Sequence, residues 1–218
     1  MPDFQHAWDV PPREAIAIQE RLRHAVVLED DFGPLQRVAG VDVGFEAGGS
    51  ITRAAVAVLS FPELVLVESA IARLPTSFPY VPGLLSFREA PAVLQALASL
   101  SRPPDLLVCD GQGLAHPRRF GLACHLGLLA GLPAIGAAKS RLLGEHVSPG
   151  PLRGDWQPLI DRGEVIGAAL RTRPGTKPIF VSPGHRVSLA SAIDLALQCT
   201  GRFRIPEPTR QAHRLASG

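Results

Sequence analysis

Asp42 lies in a predicted β-strand that would present its carboxylate on an open face. It lies at the centre of the β-rich run 37–45, and its neighbours on the same face of that strand are Gly40 and Gly44. The missing side chains leave this face bare and permit close approach of a ligand or of another backbone. A charge at a strand centre is costly unless it is paired, hydrated or bound to a metal. A binding carboxylate and a solvated aspartate on an exposed face both fit this run.

Asp110 directly follows the apolar run 106–109 and precedes the glycine-bearing segment 111–113. An aspartate at the carboxyl end of a buried strand is well placed to offer oxygen ligands to a hard cation such as Mg²⁺. The pair Asp-Gly is also common in turns, so a turn-forming role explains the same residues. Both interpretations of Asp110 stay open at this point.

Glu89 is a third acidic candidate, and it has an alternative explanation. Ser86 and Glu89 match the S-x-x-E capping box that starts a helix, so helix capping alone accounts for the pair. A glutamate on the first turn of a helix also faces whatever lies beyond that helix end. Three carboxylates that converge on divalent ions can position such ions to clamp the oxygens of a phosphodiester and activate a water. The residues are compatible with a hard-metal site but do not demonstrate that they converge.

Hydrophobic periodicity and turn residues predict the elements that would position these carboxylates. Helices are predicted over residues 13–27, 86–100, 121–130 and 188–199. Strands are predicted over residues 37–45, 51–61, 64–74, 106–109, 134–138, 156–160, 164–172 and 179–182, and a short arginine-bearing tail follows the last helix. A strand meander followed by alternating strands and helices indicates an α/β domain with a mixed central sheet flanked by helices. Ligand sites in such sheets gather outside the strand ends.

Length and composition limit the classes of protein that fit the chain. Its 218 residues, 46% of them hydrophobic, suit a single domain over residues 1–218. No apolar run approaches the ~20 residues of a membrane helix, and a secretory signal is missing, so we expect a cytoplasmic protein with no membrane partner. Cys109, Cys124 and Cys199 are widely spaced, which predicts core thiols rather than disulfides or a zinc site. The net charge of +2 does not by itself indicate a nucleic-acid partner.

Several short motifs, in their order and spacing, resemble the endonuclease V family. The likeness runs from about residue 10 to the tail. The Pro-Tyr-x-Pro-Gly and Asp-Gly-x-Gly-x-x-His-Pro-Arg segments in combination are much more specific than any single motif. The matching segments are Val41-Asp42-Val43, Pro79-Tyr80-Val81-Pro82-Gly83, Phe87-Arg88-Glu89, Cys109-Asp110-Gly111-Gln112-Gly113 with His116-Pro117-Arg118, Ala138-Lys139-Ser140, and residues 182–188.

This resemblance implies a ribonuclease H-like fold and an Mg²⁺-dependent endonuclease, with Mn²⁺ as a substitute ion. It also implies recognition of deoxyinosine in DNA and hydrolysis of the second phosphodiester bond on its 3′ side. By position, Asp42 and Asp110 would be metal ligands, with Glu89 at the same site as a ligand or through water. His213 matches the C-terminal active-site histidine of the family, and Lys139 would lend electrostatic support to catalysis.

The same resemblance assigns residues to the substrate. Tyr80 falls on the wedge of a loop that splits the strands beside the lesion, where an aromatic ring can replace the stacking lost when a base is flipped out. Without the resemblance, the residues favour a tyrosine packed on the core from a proline-rich loop. The flipped base would contact main-chain groups drawn from Gly83, Leu85 and Gly111 and the side chain of Leu122, and the phosphate-facing border would be His116, Arg118 and Lys139.

Two other functions are compatible with the motifs. An inosine-specific endoribonuclease would share them, which makes RNA containing inosine an alternative partner. A non-catalytic binder of damaged or branched DNA would use Tyr80 and the basic border without needing all three carboxylates. We expect the protein to be a monomer. We also expect His185 to cap a backbone group from its loop and Asp194 to lie on a solvated helix face.

Overall fold

One mixed sheet of eight strands organises residues 4–217, the part of the chain that the computed structural model describes. The strands are β1 (Arg37–Glu46), β2 (Ile51–Ser60), β3 (Leu66–Pro75), β4 (Leu106–Cys109), β5 (Ala134–Ala138), β6 (Trp156–Asp161), β7 (Glu164–Leu170) and β8 (Ile179–His185). Their order across the sheet is β3-β2-β1-β4-β5-β8-β7-β6. Strands β1, β4 and β5 run parallel, and the other neighbouring pairs in this sheet are antiparallel. The carboxyl ends of the three parallel strands therefore share one edge of the sheet.

Helices cover both faces of this sheet. They are α1 (Pro12–Leu22), α2 (Leu85–Ala98), α3 (Leu122–Ala130), α4 (Leu189–Gln198) and α5 (Glu207–Ala216). Helices α2 and α3 pack on one face, and α1 lies against them on the outside. Helices α4 and α5 pack on the opposite face. The predicted α/β class with flanking helices is confirmed. No helix in the described part of the chain is long and apolar enough to cross a membrane.

Helix α5 corrects the expectation of an arginine-bearing tail. Its sequence is mostly polar, and its buried side chains are small, so it lacks the large apolar residues that mark a core helix. The local signals that could have revealed it are Pro208 in the first turn, acidic Glu207 at the start and basic Arg214 near the end. These residues match the usual distribution of proline and charge along a helix.

The start of α2 differs from the predicted capping box. Leu84 is the N-cap residue and provides no side-chain cap, whereas Ser86 lies inside the helix and its Oγ is 2.9 Å from Nδ1 of His125. Leu84 and Phe87 are buried in the same hydrophobic cluster, so tertiary packing outweighs the local capping signal. The capping interpretation of Glu89 is wrong, and another role must account for this carboxylate.

Candidate functional site

Asp42 and Asp110 lie close together because Asp42 is part of β1 and Asp110 directly follows the neighbouring parallel strand β4. Val41 of β1 pairs with Cys109, the last residue of β4, so Asp110 leaves the end of β4 beside Asp42. The Asp110 N–H donates to the Val41 carbonyl at 3.4 Å. Burial raises the pKa of the Asp42 carboxyl, and the neighbouring charge of Asp110 raises it further. The sheet thus brings two of the three predicted carboxylates, Asp42 and Asp110, close together.

The bare face beside Asp42 is covered by α5 instead of solvent. A Cβ at Gly40 would lie 2.0 Å from the Pro208 backbone, and a Cβ at Gly44 would lie 2.6 Å from the Ala216 carbonyl oxygen. Close approach of another backbone, one of the two roles predicted for these glycines, is therefore what the structure shows. The alternative of a strand with one solvated face is wrong. This approach brings α5 to the site, where Nδ1 of His213 lies 2.7 Å from Oδ2 of Asp42.

Lys139 adds a positive charge from the third parallel strand. It directly follows β5, which neighbours β4 in the sheet, and its Nζ lies 2.5 Å from Oδ2 of Asp110. The lysine side chain remains 43% exposed, whereas that of Asp110 is 13% exposed. The ammonium group therefore compensates the buried carboxylate while it remains accessible to a negatively charged ligand.

Glu89 approaches the same cluster from α2. Burial raises the pKa of its carboxyl to about 8, and the charges of Asp42 and Asp110 contribute to this increase. Within residues 4–217, its side chain forms no hydrogen bond or ion pair. An acidic side chain that is desolvated and surrounded by like charge is costly unless a proton or a cation neutralises it.

The charge and ligand types of this cluster fit a hard cation. Three carboxylates approach one another, and oxygen ligands are those that Mg²⁺ prefers. Across residues 4–217, however, no three acidic, histidine or cysteine side chains form a ready metal-binding group. Asp42 contacts His213 and Asp110 contacts Lys139, so each of these two carboxylates also has a polar partner within the protein. Of the three carboxylates, Glu89 has no hydrogen bond or ion pair within residues 4–217, and the nearby charge of Arg88 offsets its burial only in part.

The raised pKa of Glu89 predicts that the metal-free protein loses stability as the pH rises. The folded protein retains the proton on Glu89 up to about pH 8, whereas an ordinary glutamate carboxyl has a pKa of 4.5. Between these values the folded state binds more protons than the unfolded state, so the free energy of unfolding falls with increasing pH. We expect Glu89→Gln to unfold at a higher temperature than wild type at pH 9 in a chelating buffer, and to lose this advantage at pH 4.

The control for this measurement is Glu63→Gln, which makes the same chemical change at an exposed position. Its unfolding temperature should follow that of wild type at both pH values. Parallel pH profiles for wild type and Glu89→Gln would contradict the prediction.

A cavity of 340 Å³ opens beside the carboxylates. Its volume falls within the range of small-ligand sites, about 300–1,000 Å³. Asp110 belongs both to the acidic cluster and to the wall of this cavity. The residues predicted to contact the substrate or phosphate that line the wall are Tyr80, Gly83, Leu85, Gly111, His116, Leu122 and Lys139.

Tyr80 projects from the loop between β3 and α2 and is 71% exposed. The nearby Phe78 is 2% exposed and anchors the same loop in the core. The interpretation from residues alone, a tyrosine packed on the core, is therefore wrong. An exposed ring beside a cavity can stack against a nucleobase with little rearrangement of the protein.

The side chains of His116 and Arg118 form hydrogen bonds with other groups of the protein. Nε2 of the 4% exposed His116 lies 3.0 Å from the Gly83 carbonyl oxygen, and its Nδ1 accepts the Arg118 backbone N–H at 3.2 Å. Burial and the Arg118 charge lower the pKa of His116 to about 4, so its ring is neutral near pH 7. Arg118 Nη2 donates to the same carbonyl at 2.5 Å. Of the predicted phosphate-facing border, Lys139 is the residue whose charge is most accessible.

Two glutamines that line the cavity, Gln19 and Gln112, are not among the predicted site residues. Gln112 donates through Nε2 to the Ser140 carbonyl at 3.0 Å. Gln19 is 1% exposed and lies in the buried stripe of α1 beside Ile18 and Leu22. A polar residue in an apolar stripe needs hydrogen-bond partners, and this is the local signal that could have identified Gln19.

Three further predictions are confirmed outside this cluster. Nδ1 of His185 accepts the backbone N–H of Val27 at 3.2 Å, as expected for a capping histidine, although His185 is the last residue of β8 and not part of a loop. Asp194 is exposed on α4. The three free cysteines are buried, so they are core thiols: Cys109, Cys124 and Cys199.

Comparison with known proteins identifies the family. The family model for Endonuclease V matches residues 20–214. Endonuclease V of Nostoc sp. is 60% identical over 213 residues, which cover 97% of this chain and 96% of the relative. The chain belongs to the endonuclease V family. Endonuclease V of Azotobacter vinelandii is 57% identical over 218 residues, covering 100% and 99% of the two chains.

Solved structures of the endonuclease V family share this fold. The Streptomyces avermitilis structure has a TM-score of 0.93 and 48% identity over 97% of this chain and 93% of its own. A Ciona intestinalis structure, in complex with a 24mer DNA that contains an inosine followed by a ribo-adenosine, has a TM-score of 0.82 and 31% identity. That match covers 94% of this chain and 95% of the Ciona chain. The predicted ribonuclease H-like fold and endonuclease class are confirmed.

Proposed function

We propose that this member of the endonuclease V family recognises deoxyinosine in DNA and hydrolyses the second phosphodiester bond on its 3′ side, with Mg²⁺ as cofactor. The observation that carries this proposal is the position of Asp110, which belongs both to the acidic cluster and to the cavity wall. A base held in the cavity would bring its own strand to the carboxylates. The inosine-containing DNA bound by the Ciona relative supports the same substrate class.

Asp42, Asp110 and Glu89 are the proposed ligands of the cation, for which Mn²⁺ can substitute. When bound, the ion supplies charge stabilisation at the phosphate and lowers the pKa of a water molecule. The desolvated carboxylate of Glu89, which forms no hydrogen bond or ion pair within residues 4–217, supports this assignment, because a cation would offset the like charges that raise its pKa.

His213 and Lys139 supply the proton transfer and the positive charge of the proposed reaction. Because Nδ1 of His213 contacts Asp42, its other ring nitrogen is the one left to exchange a proton with water or substrate. Lys139 is accessible beside Asp110 and would stabilise charge that develops on the phosphate.

The cavity is proposed to hold the flipped hypoxanthine base. Its wall includes Gly83, Leu85 and Gly111, whose main-chain groups would contact the base, and Leu122, whose side chain would pack on it. Tyr80 would occupy the space that the base leaves in the stack. The reacting bond is a phosphodiester one nucleotide further on. The glycosidic bond is not broken, so the modified base remains attached to its sugar.

The direct test uses a labelled duplex with one deoxyinosine, incubated with the protein and Mg²⁺, and maps the nick to a single nucleotide. We expect one nick at the second phosphodiester bond 3′ to the lesion, no nick when EDTA replaces Mg²⁺, and no nick in the matched adenine duplex. Cutting at random positions, or no cutting with either Mg²⁺ or Mn²⁺, would refute the proposed function.

Replacing Tyr80 by alanine should weaken binding of the deoxyinosine duplex without changing stability. Stacking of one base on an aromatic ring contributes about 1–3 kcal/mol, which corresponds to a loss of about 5- to 150-fold in affinity. The side chain is 71% exposed, so we expect the unfolding temperature to remain unchanged. Tyr80→Phe retains the ring and should bind like wild type; equal affinity of Tyr80→Ala and wild type would contradict the wedge role.

RNA containing inosine is the second candidate substrate. The DNA bound by the Ciona relative carries a ribo-adenosine after the inosine, so that relative accommodates a 2′-hydroxyl at this position. Matched deoxyinosine DNA and inosine RNA, cleaved in parallel, would distinguish the two preferences. We further propose that residues 1–218 form a single domain that acts as a cytoplasmic monomer.

A further inference from the structure

Gln19 connects α1 to the loop that carries Tyr80. Its side chain is almost fully buried, at 1% exposure, and it lines the cavity wall. Its Nε2 donates to the Gly83 carbonyl at 3.2 Å and to the Phe120 carbonyl at 3.4 Å. Its Oε1 accepts from Nε of Arg118 at 2.6 Å. Both ends of the amide are therefore used, and a flipped amide would place its NH₂ group against the arginine donor.

The Gly83 carbonyl receives hydrogen bonds from three side chains. Besides Gln19, the donors are Nε2 of His116 at 3.0 Å and Nη2 of Arg118 at 2.5 Å. The proton of His116 lies on Nε2, because Nδ1 accepts the Arg118 backbone N–H. Three donors from two separate segments thus hold one carbonyl group of the cavity wall.

The hydrogen bonds from Gln19, His116 and Arg118 form a clamp on the Gly83 carbonyl, and the backbone conformation of Gly83 suits this clamp. Its φ is +79°, in the left-handed region that favours glycine, and a Cβ there would lie 2.8 Å from Nη2 of Arg118. The Leu84 N–H donates to the Val81 carbonyl at 2.9 Å and closes the turn around it. The clamp therefore determines the orientation of the peptide that joins the Tyr80 loop to α2.

We propose that Gln19 is a positioning residue for base recognition, which holds the Gly83 peptide and the attached Tyr80 loop in the geometry that accepts the flipped base. This inference rests on the proposed function. The hydrogen bonds of Gln19 are to Gly83, Phe120 and Arg118 and not to the three carboxylates. Substitution of Gln19 should therefore weaken recognition of the base while the chemical step remains intact.

Two substitutions at position 19 separate the contributions of the amide. Gln19→Met retains the length of the side chain without any hydrogen bond. Gln19→Glu retains the acceptor for Arg118, with which it can form an ion pair, and removes the amide donors to Gly83 and Phe120. It is therefore the second variant if the methionine variant does not fold, and it tests the donors separately from the acceptor. Gln198→Leu, at an exposed position on α4, is the control.

The measurements are KM and kcat for nicking of the deoxyinosine duplex, the ratio of affinities for deoxyinosine and adenine duplexes, and the unfolding temperature. For the folded variants at position 19 we expect KM to rise about tenfold, kcat to stay within about threefold of wild type, and the affinity ratio to fall about tenfold. The control should match wild type.

The outcomes distinguish this inference from the proposed function. If wild type shows no preference for deoxyinosine, the proposed function fails. If wild type shows the preference and Gln19→Glu keeps both KM and the affinity ratio, only the role of Gln19 is refuted. A lower unfolding temperature with an unchanged affinity ratio would also overturn it, because Gln19 would then be purely structural.

Discussion

Replacing Asp110 by alanine is expected to reduce the nicking rate on deoxyinosine DNA at least about a thousandfold. The carboxylate is at once the partner of Lys139, the neighbour of Asp42 and Glu89, and part of the cavity wall. Its loss would remove a proposed metal ligand, and charge stabilisation by a metal contributes several kcal/mol, of which about 4 kcal/mol corresponds to a thousandfold change in rate. Single-turnover nicking with saturating Mg²⁺ measures this effect.

Asp194→Ala is the matched control, because Asp194 is exposed on α4 and belongs to neither the acidic cluster nor the cavity wall. It should nick at the wild-type rate. The unfolding temperature of Asp110→Ala should not fall sharply, because the substitution removes one of the charges that raise the pKa of Glu89. Equal nicking rates for wild type and a folded Asp110→Ala would refute the catalytic role of this carboxylate.

Replacing Gly40 by alanine is expected to displace α5 and to inactivate the enzyme from a position outside the cavity. The added Cβ would lie 2.0 Å from backbone atoms of Pro208, which are far less free to move than a flexible side chain. Overpacking of this kind costs about 3 kcal/mol, equivalent to a fall of about 10 °C in the unfolding temperature. Because α5 carries His213, we also expect the contact with Asp42 to be lost.

The control is Gly33→Ala, where an added Cβ would meet no atom within 4 Å. It should match wild type in unfolding temperature and in nicking rate. Amide hydrogen exchange over residues 207–216 tests the proposed cause, since a displaced α5 would exchange faster in Gly40→Ala. Wild-type stability and normal protection of α5 in Gly40→Ala would show that the close packing of this helix on β1 is not required.

The family and the candidate site residues can be predicted from the sequence because they are carried by short motifs and by local periodicity. The predicted strands over residues 106–109 and 134–138 coincide with β4 and β5, since continuous apolar runs bounded by turns are a local signal. These two strands and β1 place Asp42, Asp110 and Lys139 close together, near the carboxyl ends of β4 and β5. The sequence also contains the glycines that permit close approach of a backbone beside Asp42.

Other features depend on contacts between segments that are distant in the chain. The residues of β1 do not show that α5 covers Gly40, and the Ser-x-x-Glu pattern does not show that Ser86 contacts His125 instead of capping α2. Gln19 is separated from Gly83 by 64 positions in the sequence.

The sequence by itself therefore determined which family the chain belongs to, where most strands and helices lie, and which carboxylates are candidates. Only the tertiary structure decided that His213 meets Asp42, that Glu89 is buried beside two other carboxylates, and that a buried glutamine holds the Gly83 carbonyl. The physical reason is that periodicity and turn chemistry act over a few residues, whereas burial, close packing and hydrogen bonding depend on which distant segments the fold brings into contact.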